Sequence, residues 1–130
     1  MFWYGPDANG TQYFDPKFPA YDYALRHAIT IGEGASGAVA AATAYGYTGD
    51  VLTITGQQDT LFCGTNALPI DGPGQCVGGP LNYLAGTADL YPKAHYWWWN
   101  VPDAGHCWHF HYSAQQGFNV VHEWLADRGF

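Results

Sequence analysis

Apolar and polar positions along the chain sort into a few short elements. Residues 50–55 (DVLTIT) are a β-branched apolar run that ends at Gly56, the pattern of a parallel strand covered on both faces. Residues 94–101 (AHYWWWNV) form a second, strongly aromatic strand candidate, broken by Pro102-Asp103-Ala104-Gly105. From about Ala114 to Asp127 the apolar residues Phe118, Val121, Trp124 and Leu125 recur at helical spacing, and Arg128-Gly129 supplies a stop. A helix is predicted around 80–90, from near Pro80 to before Pro92, and a short one over 21–28. The small-residue run 38–44 reads as a helix packed closely on a neighbour, and residues 1–20, with Pro6, Pro16 and Pro19, as irregular.

The order from residue 50 onward is strand, loop, helix, strand, loop, helix. Two strands joined through a helix run parallel with a right-handed crossover, so the class is α/β. Two or three strands do not make a stable doubly wound sheet. Completion of the sheet is expected from sequence outside this chain or from another chain.

Composition sharpens this picture. The 130 residues are 48% hydrophobic and 18% aromatic but only 12% charged, too apolar for disorder. So few charges cover a small domain poorly, which points to a partner surface or to a missing remainder. The net charge of −7 leaves no basic stripe for phosphates, which excludes nucleic acid as an expected partner. It also disfavours anionic membrane surfaces. No apolar run approaches the ~20 residues that span a bilayer, and Met1–Pro6 lacks the pattern of a signal peptide.

Three cysteines are present, and Cys63 and Cys76 bracket a Gly-, Pro- and Asn-rich loop suited to a local disulfide. With the glycosylation sequon Asn9-Gly10-Thr11, this favours a secreted protein.

Ligands of open parallel sheets sit beyond the carboxyl ends of the strands. Asp59 follows the first strand in Gly56-Gln57-Gln58-Asp59, and His106 follows the second in Asp103-Ala104-Gly105-His106. Singly, such an Asp often braces a turn, and a post-strand Gly-His is ambiguous. Together, on successive strand ends, they form the acid and base of a nucleophile-activating pair. A carboxylate on one imidazole nitrogen fixes the tautomer and stabilises the imidazolium formed when the other nitrogen takes a proton.

The segments Val51–Asp59, Phe62-Cys63, Asp103–Ala114, Val121–Leu125 and Gly129-Phe130 together resemble the C-terminal part of fungal α/β-hydrolases. Tyr21–Ala24 and Thr30–Glu33 are similar to the stretch that joins the cap to the acid-bearing strand in that family. The resemblance runs from about residue 14 to the end. It implies the end of a cap or connecting region over 1–48 and the C-terminal part of a hydrolase core over 49–130. It further implies Asp59 as triad acid, His106 as triad base, an ester or related acyl substrate, and a nucleophilic serine upstream of this chain. No cofactor is called for.

Other readings compete at single residues. Ser36 in Gly34-Ala35-Ser36-Gly37-Ala38 meets a relaxed nucleophile pattern, and the order Ser, Asp, His suits this fold. A serine among Gly and Ala is ordinarily a tight turn or packing site, and the matching family segment is not the nucleophile turn. The cluster His106-Cys107-Trp108-His109-Phe110-His111, with His95, contains zinc-ligand types, but its spacing matches no common zinc pattern. His109 and His111 read as hydrogen-bonding residues beside the final helix. Cys107 reads as structural, or as paired outside this chain. Tyr96–Trp99 reads as a strand packing alternate sides on helices rather than as a substrate pocket. The competing function is a non-catalytic, truncated or degenerate hydrolase module that binds a partner or self-assembles.

Overall fold

The computed structural model describes residues 5–26, 28, 30–32, 43–63, 76 and 83–130. Helix α1 spans Phe18–Leu25, strand β1 Asp50–Gly56, helix α2 Tyr83–Gly86, strand β2 His95–Val101 and helix α3 Ala114–Ala126. Short 3-10 turns occupy Thr87–Leu90 and Trp108–Phe110. The predicted helix at 38–44 and the candidate Ser36 fall largely or wholly outside the described residues, as does the Pro80 start of the predicted 80–90 helix. Where that helix is described, it is one α-helical turn continued as 3-10.

Strands β1 and β2 pair in parallel, with Asp50 opposite His95 and Gly56 opposite Val101. The class is α/β, as predicted. Successive strand residues point to opposite faces, and β2 uses both. On one face Trp98 packs against the buried Cys63, Cys76 and Leu84, and the Tyr96 hydroxyl donates to the Leu84 carbonyl at 3.0 Å. On the other face Trp97 meets Trp124 of α3 edge-on, with centroids 6.1 Å apart. The tryptophan run is therefore shared between helices on the two sides, as the alternation predicts.

Burial departs from expectation. Both faces of β1 were expected to be covered, yet only Thr55 and Gly56 at its carboxyl end are buried. The physical reason is pairing: among the described residues β1 has a strand neighbour on one edge only.

Helix α1 begins at Phe18 rather than residue 21, with Pro19 in its first turn, where the missing amide proton costs nothing. Phe18 stacks on Phe110 at 5.2 Å, which ties α1 to the turn that precedes α3. The C-terminal end of α3 is fastened by Arg128. Its guanidinium lies 4.1 Å from the ring centroids of both Trp97 and Trp124, and its Nε donates to Asp50 Oδ2 at 2.6 Å. No described helix is long and apolar enough to cross a membrane.

Candidate active site

Parallel pairing at equal register makes β1 and β2 end level, and the two following loops bond to each other directly. The Gln57 amide donates to the Val101 carbonyl and the Gln58 amide to the Ala104 carbonyl, both at 2.8 Å. This approach requires glycine at 56, because a Cβ there would collide with the Ala104 and Gly105 carbonyls. The second loop turns at Asp103, whose φ of 52° lies in the left-handed region that Asp tolerates better than most side chains.

Asp59 is fully buried. Its Oδ1 accepts from the Leu61 and Phe62 amides at 2.8 and 3.1 Å, and its Oδ2 from the Thr55 hydroxyl at 2.5 Å. The same Oδ2 stands 2.9 Å from His106 Nδ1. A carboxylate only accepts, so Nδ1 carries the proton and Nε2 is the basic nitrogen of the neutral ring. Burial by itself pushes the Asp59 carboxyl up. The hydrogen bonds from Thr55 and His106 and the Phe62 and Leu61 amides outweigh it and hold the group below its usual range.

The structure thus brings together the two residues singled out from the sequence. The His106 side chain is 26% exposed. Phe62 meets the His106 ring edge-on at 4.9 Å, and both line a cavity of about 660 Å³ with Tyr83, Leu84, Tyr91 and Trp108.

Cys63 and Cys76 are disulfide-bonded, in agreement with the pairing predicted from the loop between them. The bridge abuts the site, since the Cys63 amide donates to the Asp59 carbonyl at 3.1 Å. Cys107 is the free cysteine. Burial, with the carboxylates of Asp22 and Asp59, pushes its thiol pKa up, which suits an inert thiol rather than a nucleophile. Among the described residues no three of His, Cys, Asp or Glu converge to hold a metal ion.

The histidines behave differently from one another. His95, at the opposite end of β2, faces Asp50 at 3.0 Å and takes no part in this site. His109 is held below its usual pKa by burial and by neighbouring His106, against the pull of Asp22. His111 is buried; its Nε2 accepts from the Gly105 amide at 3.2 Å, and its Nδ1 donates to the Cys107 carbonyl at 3.0 Å. Sequence reasoning gave His111 hydrogen bonds but missed their target, and it missed Thr55 as the partner of the acid. The available signal for Thr55 was a hydroxyl at the carboxyl end of the same strand, four residues before the acid. No family model, curated protein or solved structure matches this chain.

Proposed function

We propose that this chain supplies the acid and base of a serine hydrolase of the α/β-hydrolase type acting on ester or related acyl substrates. The observation that carries the reading is the 2.9 Å contact between a fully buried, amide-braced Asp59 and the partly exposed His106. Asp59 holds His106 in the Nδ1–H tautomer, so Nε2 takes the proton of an attacking serine hydroxyl while the serine oxygen bonds to the acyl carbon. On collapse of the tetrahedral adduct, His106 returns that proton to the leaving alcohol. Water then attacks the acyl-serine by the same route. The serine comes from outside the described residues. The cavity beside His106, walled by Phe62, Tyr83, Tyr91 and Trp108, suits an apolar acyl or alcohol group. The bridged Cys63–Cys76 pair fits a secreted location.

The test is labelling of the full-length protein with a fluorophosphonate probe, alongside turnover of a chromogenic ester. Asp59→Asn should lower turnover by about 10⁴-fold, because the amide favours the wrong tautomer, and His106→Ala should abolish it. Undiminished labelling and turnover in both variants sinks the reading.

A second reading is a non-catalytic module that binds a complementing chain or assembles with itself. It is favoured by the edge of β1 that lacks a strand neighbour among the described residues, and by exposed apolar side chains such as Tyr45, Leu61 and Phe62. Sedimentation of the chain decides: a monomer with a cooperative melt argues against it.

A further inference from the structure

His106 is flanked in the chain by Gly105 and Cys107, and one imidazole reaches both. The His111 ring accepts the amide of Gly105, just before His106, and bonds the carbonyl of Cys107, just after it. An amide always donates and a carbonyl always accepts. Both bonds therefore form only in the neutral ring with its proton on Nδ1.

His111 is itself clamped from outside. It forms an antiparallel bridge with Phe14, whose ring meets it edge-on at 5.4 Å, and the Tyr112 amide donates to the Tyr13 carbonyl at 2.8 Å. Phe14 and His111 are both buried. The Gly105 amide is buried as well, and losing its acceptor leaves a donor without water to replace it.

We infer that His111 is a positioning residue whose Nδ1–H tautomer closes a ring around Gly105–Cys107 and so holds the His106 imidazole on Asp59. The consequence rests on His106 being the base, but the test reads the His106–Asp59 hydrogen bond itself and needs no turnover. Failure of the hydrolase reading would leave that bond intact and remove only the activity, so the two failures are distinguishable.

Histidine-selective ¹⁵N labelling and NMR carry the test. In the wild-type protein His111 should show the Nδ1–H tautomer, and His106 a downfield Nδ1 proton slow to exchange with water. His111→Phe keeps a flat aromatic ring and removes both bonds. It should speed exchange of the His106 proton by about tenfold or more, the factor that two lost hydrogen bonds imply. His111→Gln can place an acceptor near the Gly105 amide and should retain the resonance. If the Phe variant lacks a native near-UV spectrum, the wild-type tautomer and the Gln variant decide. An Nε2–H tautomer at His111 overturns the inference. So does unchanged exchange in a folded Phe variant, or a lost resonance in a folded Gln variant.

Discussion

The Thr55 hydroxyl donates to Asp59 Oδ2 across 2.5 Å, to the same oxygen that holds His106. One strand-end residue therefore helps to keep the acid ionised while buried. Thr55→Val preserves shape and deletes the donor. The Asp59 carboxyl should rise toward its usual range, and stability at neutral pH should fall by about 1.5–3 kcal/mol, the range for a hydrogen bond to a charged group. Denaturant melts give the stability change. Carboxyl ¹³C titration of Asp59 gives the shift, and an unmoved titration refutes the role assigned to Thr55.

Gly56→Ala sets a Cβ against the carbonyls of Ala104 and Gly105, and backbone cannot swing aside as a side chain can. The two loops should be forced apart, at a cost of roughly 1–3 kcal/mol or more. The separation should also loosen the His106–Asp59 contact, so the downfield His106 proton should weaken together with the melting temperature. A variant as stable as wild type would contradict the close approach of the two loops.

Much of this arrangement was legible in the sequence. DVLTIT and AHYWWWNV read as strands because β-branched and aromatic residues run without helical spacing, and the linking helix implied parallel pairing. That pairing was enough to put Asp59 and His106 at the same end of a sheet. The role of His111 was not legible, because His106, His109 and His111 lie within six residues and only the 3-10 turn at Trp108–Phe110 separates their directions. The earlier start of α1 had a signal in Pro19, a residue equally at home in an irregular segment. The incomplete burial of β1 reflects what pairs with it, which no local pattern encodes.

Acid should act through two groups with the same sign. Asp59 is held below its usual value, so its contribution to stability is complete above the ordinary carboxylate range. It is lost as pH falls through the lower folded value. His111 is held below its usual value by burial first, with His109 adding to the effect and the Cys107 carbonyl opposing it. The unfolded chain therefore takes up the His111 proton first, and stability declines as pH drops below about 6.5, the ordinary histidine value. His109 beside this loop is likewise held below its usual value by burial and by neighbouring His106, against the pull of Asp22. Melts across pH 7 to 4 should fall less steeply in His111→Gln, and an identical slope counts against the buried neutral imidazole.

Arg128 joins Asp50 at the start of β1 to Trp97 and Trp124. Arg128→Ala should cost about 1–2 kcal/mol, and Arg128→Lys should recover little of it, since an ammonium lacks the flat fork that stacks between two indoles. Tryptophan fluorescence during unfolding reports both variants. Full recovery by lysine would point to charge alone.

Reduction of the Cys63–Cys76 bridge, or Cys63→Ser with Cys76→Ser, should lower stability by about 3 kcal/mol for a loop of this length. Alkylation and intact mass should count one free thiol before reduction and three after it. Three before reduction would rule the bridge out.

The level ending of β1 and β2, with Gly56 opposite Val101, makes the sheet a ruler for the Asp59 carboxylate and the His106 imidazole. Each loop needs only a few residues to reach its side chain, Asp59 three positions beyond Gly56 and His106 five beyond Val101, so the distance between them is inherited from strand register. A slip of one residue between the strands would displace one loop by about 3.3 Å, more than the hydrogen bond can stretch, and turn its strand's side chains to the wrong face.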